Sequence, residues 1–253
     1  MERLDGTVAL VTGASGGIGA ATAVALAERG ASVGLVARGG DRLEEVARRV
    51  RSIGGRALRV QADVTVRRQA AGAVERVVAE FGRLDTVVNN AGVMLVGPVA
   101  DAPEGEWERM VAVNQLGLMY VTQAAQAHLV KAAGAEPRRV ADIVNISSTA
   151  GRVSRPGTAV YSMTKTGVVA FSEALRQEMQ PQRVRVSVVE PGNVETELAT
   201  HTRPEARDGA QTQIRRIERL TPQDVARTVV FIVTCPRRVA VNEVLVRAAD
   251  QTW

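Results

Sequence analysis

Tyr161 and Lys165 stand four residues apart in Tyr161-Ser162-Met163-Thr164-Lys165, at the start of a helical stretch. Four residues make one helical turn, so both side chains share a face. A free phenol titrates near pH 10, too high for ready proton exchange at neutral pH. A neighbouring ammonium favours the phenolate, and each pH unit of lowering corresponds to about 1.4 kcal/mol. Approaching pH 7 asks for roughly 4 kcal/mol, from Lys165 and from a second positive charge nearby. The pair is a candidate acid–base centre, although the same spacing is common among ordinary surface and core residues.

A second candidate site lies near the N-terminus. Val8-Ala9-Leu10-Val11 is followed at once by Thr12-Gly13-Ala14-Ser15-Gly16-Gly17-Ile18-Gly19 and then by an Ala-rich stretch. Glycines between strand and helix let the chain turn sharply and bring backbone N–H groups close to a pyrophosphate, where the helix terminus adds partial positive charge. Gly13, Ser15, Gly17, Ile18 and Gly19 are the candidate contacts. The run lacks the terminal Gly-Lys-Ser/Thr of a nucleotide-hydrolysing loop. A tight turn with close helix packing would use the same glycines. The next strand ends Val36-Ala37-Arg38, with no acid to hold a ribose 2′-hydroxyl. Arg38 can instead fork onto the 2′-phosphate of NADP, so the expected cofactor is NADP(H).

These residues need a scaffold, and the chain reads as one. Short β-rich runs alternate with longer helical ones, the pattern of a parallel sheet covered on both faces. Strands are expected at 8–11, 32–37, 57–62, 86–89, 142–146, 184–189 and 242–246. Leu43, Val46, Val50 and Ile53 recur at helical spacing, with Asp41 as N-cap and Gly54-Gly55 as stop. Val74, Val77, Val78 and Phe81 form another apolar face closed by Gly82. Gly134–Arg139 reads as a surface connection. Asn193–Asp208 is polar, Thr-rich and weakly periodic, and a substrate lid is expected near 193–219.

Composition limits the alternatives. The 253 residues suit a single α/β domain spanning 1–253, with 45% apolar and 23% charged residues. No uncharged apolar run is long enough for a membrane helix, and Met1–Gly6 carries no apolar signal core. Cys235 is the single cysteine, which excludes an intrachain disulfide and suits a reducing cytoplasm. The net charge of +5 comes from scattered arginines, and aromatics are only 3%, too few for stacking on bases. Nucleic-acid and membrane partners are therefore not expected. Neither His128 nor His201 belongs to a metal-ligand pattern, so no metal is expected; His201, in the lid region, could touch substrate.

Thr12–Gly19, Asn89-Asn90-Ala91-Gly92, Asn114, Ile146-Ser147-Ser148, Tyr161 with Lys165, and Pro191-Gly192 occur in this order along the whole chain. Together they resemble the short-chain dehydrogenase/reductase family in its compact single-domain branch. Asn89–Val99, Leu116–Val121 and Phe171–Glu178 are similar to bacterial carbonyl reductases. The resemblance implies a Rossmann-type, doubly wound sheet of seven parallel strands and a homodimer or homotetramer. It implies that Tyr161 is general acid in reduction and general base in oxidation. Lys165 would lower the Tyr161 pKa and hold the nicotinamide ribose, and Ser148 rather than Ser147 would hold the carbonyl oxygen. Asn114 would hold a water linking Lys165 to solvent, though a helix-kink role fits it too.

The same resemblance implies that Asp63 meets the adenine amine, although an N-cap for the next helix is an equal local reading, with Val64 beside it. Asn90, Ala91 and Gly92 would line the adenosine side while Asn89 braces strands. Pro191, Gly192, Val194 and Thr196 would border the nicotinamide. Gly16 stands where many NADP-using relatives carry a basic residue, which leaves the 2′-phosphate to Arg38. The implied activity is hydride transfer between nicotinamide and a small aldehyde, ketone or alcohol. A 3-oxoacyl-carrier-protein or hydroxysteroid-type reductase is the alternative within the class. A non-catalytic dinucleotide sensor is the alternative outside it, and a pure binder has no need of Ser148, Tyr161 and Lys165 together.

Overall fold

The computed structural model describes residues 2–198 and 218–252. Seven parallel strands form one sheet: β1 (Val8–Thr12), β2 (Ser32–Ala37), β3 (Ala57–Gln61), β4 (Thr86–Asn89), β5 (Ala141–Ile146), β6 (Val184–Pro191) and β7 (Glu243–Val246). Their order is β3-β2-β1-β4-β5-β6-β7, the doubly wound arrangement expected from the sequence. The central strands β1, β4, β5 and β6 are buried throughout; β1 reads as a continuous apolar run for that reason, whereas β5 and β6 also bury Asp142, Asn145, Arg185 and Glu190. Edge strand β7 alternates between exposed and half-buried residues. Strand order reverses between β1 and β4, so the crevice at their carboxyl ends is the natural ligand position.

Helices cover both faces. On one side lie α1 (Gly17–Glu28), α2 (Gly40–Ser52) and, near the C-terminus, α7 (Pro222–Val233), around a core that includes Leu26, Leu35, Leu43 and Val229. On the other lie α3 (Arg67–Phe81), α5 (Leu118–Ala133) and α6 (Ala159–Met179), around Leu10, Val77, Leu129, Ile143 and Leu175. A short α4 (Glu106–Val111) runs into α5 through a wider π-helical turn, Ala112–Gly117.

Several local expectations change. Helix α2 buries Leu43, Val46 and Val50, but Ile53 lies beyond its last turn and is exposed. The helix begins two residues earlier than an Asp41 N-cap would place it, so Gly39 is the N-cap and Asp41 sits in the first turn. There its charge still complements the helix dipole. Val66, not Asp63, is the N-cap of α3, and Gly82 closes that helix in the left-handed region at φ 81°. The 134–139 connection lies at the surface as expected, except at Arg138. The Arg138 side chain is buried and pairs at 2.8 Å with Asp142, which also binds Arg185 at 2.7 Å.

Candidate active site

The glycine turn is fastened by β4. Thr12 Oγ1 accepts hydrogen bonds from the N–H groups of Asn90 and Ala91, both at 3.0 Å. Asn90 Nδ2 donates to the carbonyls of Thr12 (2.9 Å) and Gly13 (3.3 Å). Gly13 has φ 64°, and a Cβ there would lie 2.8 Å from Asn90 Nδ2, so only glycine fits. Gly19 does not face the cleft. A Cβ on it would stand 2.3 Å from the Gly13 carbonyl oxygen, so its role is to let α1 pack onto the turn. Gly16 is extended with open space beside it, and no side chain caps α1. The first N–H groups of that helix are thus available to phosphate oxygens, and the turn fits a dinucleotide.

A cleft of about 970 Å³ runs from this turn along the carboxyl ends of the strands. Gly13, Ser15, Gly17, Ile18, Arg38, Asp63, Val64, Asn90, Ala91 and Gly92 line one part of it. Arg38 is exposed at the end of β2. Arg42, which sequence reasoning missed, lines the cleft from the first turn of α2 and pairs with Glu197 at 2.5 Å. Its position in the helix after β2 is the signal that could have found it. Burial raises the Asp63 carboxyl, but hydrogen bonds from Thr65 and the charge of Arg38 outweigh it and leave its pKa lowered. Both bonds from Thr65, at 2.9 and 2.7 Å, go to Oδ1.

Ser148, Tyr161 and Lys165 meet in the other part of the cleft. Tyr161 and Lys165 are both buried on α6, as their spacing requires. Lys165 Nζ donates to the Ile146 carbonyl at 2.9 Å and lies 5.9 Å from the centre of the Tyr161 ring. Ser147 Oγ donates to the Lys165 carbonyl at 2.9 Å, so it braces α6 against β5. Ser148 Oγ accepts from Ala150 N–H at 3.1 Å and is left facing Tyr161.

Burial pushes the Tyr161 phenol up to about 12, only partly offset by its hydrogen bond with Ser148. Burial also pushes the Lys165 ammonium down to about 8. The expected lowering of Tyr161 by Lys165 is therefore not present in this geometry. Desolvation dominates at the phenol, and the Lys165 ammonium spends its hydrogen bond on a backbone carbonyl. Asn114, in the π-helical turn, is buried behind the cleft rather than lining it. It accepts from Val93 N–H at 2.8 Å and donates to the Val93 carbonyl and to Thr164 Oγ1, both at 3.0 Å.

Pro191, Gly192, Val194 and Thr196 border the same cleft. Asn193 N–H donates to Gln251 Oε1 at 2.9 Å, and Val194 bridges to Leu220. Both described ends of the expected lid are therefore fixed at the cleft mouth; its middle, with His201, lies outside the described residues. Sequence reasoning also missed Glu190. This fully buried carboxylate of β6 receives Arg152 Nε at 2.8 Å and Nη2 at 2.6 Å, and Arg152 also reaches Glu243. Asn89 Nδ2 ties β4 to Asn145 and Thr122, both at 2.9 Å, and His128 pairs with Glu75 at 3.0 Å. Among the described residues no helix is long and apolar enough to cross a membrane, and no metal-ligand cluster is gathered.

Comparison with known proteins agrees with this fold. The profile of the short chain dehydrogenase family matches residues 7–207. An uncharacterized oxidoreductase of Methylorubrum extorquens is 41% identical over 252 residues, covering 97% of each chain. Among solved structures, the closed form of a serine dehydrogenase complexed with NADP+ superposes with a TM-score of 0.87 at 32% identity, covering 98% of this chain and 97% of that one. A 3-ketoacyl-(acyl-carrier-protein) reductase from Brucella melitensis, complexed with NADH, gives 0.84 at 32% identity, covering 98% and 99%.

Proposed function

The chain belongs to the short-chain dehydrogenase/reductase family, and on that footing we propose that it is an NADP(H)-dependent oxidoreductase of small-molecule aldehydes, ketones or alcohols. The observation that carries this reading is the convergence of Ser148, Tyr161 and Lys165 in the cleft that begins at the glycine turn. NADP(H) supplies or accepts the hydride when bound. Arg38 is assigned to its 2′-phosphate, with Arg42 beside it, because guanidinium forks match phosphate oxygens and no acid ends β2.

Ser148 Oγ holds the carbonyl oxygen and meets its growing negative charge with a hydrogen bond. Tyr161 donates the proton to that oxygen; its raised pKa keeps the hydroxyl protonated across the neutral range. Lys165 stays charged below about pH 8 and stabilises the tyrosinate left behind. Asn114 fixes the 93–94 backbone beside this centre and is assigned a positioning role, with a water relay toward Lys165. The 193–219 segment is assigned as substrate lid, since its described start touches both the glycine turn and α2. Self-association as a dimer or tetramer would cover Phe231 and Leu245, large apolar residues exposed on α7 and β7. We place the protein in the cytoplasm, where NADPH is available and Cys235 stays reduced.

Tyr161→Phe tests the central assignment. It keeps the ring's packing, so folding and NADPH binding should persist while turnover falls by roughly two to four orders of magnitude. Near-normal carbonyl reduction by this variant, on a substrate the native protein turns over, would remove Tyr161 from the mechanism. A second reading, reduction of a 3-oxoacyl thioester on a carrier protein, is supported by the 32% identity to the Brucella reductase. Turnover of acetoacetyl thioesters against simple ketones separates the two.

A further inference from the structure

The amino-terminal edge of the sheet carries a second cavity, of about 400 Å³, between the ends of α6, β6 and the loop that precedes β7. It lies at the start of β6, whereas the dinucleotide cleft lies at its end, so most of the strand separates the two. Five arginines line it, Arg176, Arg183, Arg185, Arg237 and Arg238, and no acid does. We propose that this cavity is a binding site for a small molecule bearing a triphosphate group, distinct from the site of hydride transfer.

The cavity is built, not merely basic. Arg185 is 8% exposed and fully engaged by the protein. Its Nη1 donates to the carbonyls of Cys235, Pro236 and Val239, and its Nε and Nη2 to Asp142. It therefore fixes the loop that presents Arg237 and Arg238. Arg138 shares the same Asp142, and Arg176 is held by Glu173. Six guanidinium groups thus face two carboxylates in this network, a local excess comparable to the chain's whole net charge of +5.

Arg183, Arg237 and Arg238 are exposed and have no side-chain partner among the described residues. Arg183 is the telling member. It adopts φ 60°, in the left-handed region that favours glycine, at the turn into β6. Its backbone is pinned there: the N–H donates to the Gln180 carbonyl, and the carbonyl accepts from Ala141 N–H. A residue kept in a conformation glycine would take more cheaply suggests use of its side chain. A monovalent anion can occupy one guanidinium fork, whereas a triphosphate offers oxygens enough for all three.

Isothermal titration calorimetry of the full chain with inorganic tripolyphosphate tests this. One site per chain should appear. The triple variant Arg183→Ser, Arg237→Ser, Arg238→Ser should bind on the order of 100-fold more weakly, with unchanged NADPH binding, because only charge-assisted contacts are removed. Tripolyphosphate held by the glycine turn would survive in that variant, so equal binding by both proteins overturns the proposal, as does the absence of saturable binding. ATP as a second titrant distinguishes the sources. Tighter binding than tripolyphosphate, lost in the triple variant, assigns a nucleoside-borne triphosphate; equal binding assigns the phosphate chain alone. Arg183→Gly provides a milder control. It should weaken binding about tenfold while holding or raising the melting temperature, and unchanged affinity would exclude Arg183 from the site.

Discussion

Replacing Lys165 by methionine should stabilise the protein at neutral pH while abolishing turnover. Lys165 is 5% exposed, and its ammonium has one hydrogen bond, to the Ile146 carbonyl at 2.9 Å. Burial holds its pKa at about 8 instead of 10.5. At about 1.4 kcal/mol per pH unit, keeping the charge inside costs roughly 3 kcal/mol. Methionine fills similar space without charge. It also leaves the Ile146 carbonyl short of a donor, a loss of about 1–2 kcal/mol. The variant should therefore gain about 1–2 kcal/mol at pH 7, or about 2–8 °C in melting temperature for a chain of this size. The folded-state pKa lies below the unfolded one, so the cost is complete below about pH 8. It fades as pH rises from 8 to 10.5, where lysine becomes neutral in both states. Urea denaturation of both proteins from pH 7 to pH 10 should show the native protein catching up with the variant. A less stable methionine variant at pH 7, or a difference that does not change with pH, would refute the reasoning.

Further outcomes follow from the same geometry. Arg38→Asp should cut the preference for NADPH over NADH by about 10- to 100-fold, read from the ratio of kcat/KM values, because repulsion replaces a charge-assisted fork. Arg152→Met should destabilise the fold by about 3 kcal/mol in denaturant titration, since Glu190 is left fully buried without its partner. Carbonyl reduction should decline as pH rises through about 8, where Lys165 loses its proton, and a flat initial-rate profile from pH 7 to 9.5 would contradict that. Gly19→Ala should lower stability by about 2 kcal/mol, the usual scale for forcing a methyl group into filled space. NADPH binding should weaken with it in fluorescence titration, because the new Cβ meets the Gly13 carbonyl oxygen at 2.3 Å.

The seven strands, the glycine turn and the Tyr161–Lys165 face were legible because each is a local pattern. Buried parallel strands are dominated by β-branched apolar residues, helices repeat every 3.6 residues, and a turn with positive φ calls for glycine. The family resemblance pointed to Ser148 and the end of the second strand to Arg38, and both line one cleft. Other features depend on which elements become neighbours, and no local period encodes that. Arg152 meets Glu190 across 38 residues, and Arg42 meets Glu197 across 155. Arg138 looked like a loop residue until folding set Asp142 and Arg185 beside it. The Tyr161–Lys165 electrostatics are of this kind as well. Spacing puts both groups on one helix face, but their pKa values answer to desolvation and, for Tyr161, to the Ser148 hydroxyl. Both are properties of the closed, packed interior and not of the motif.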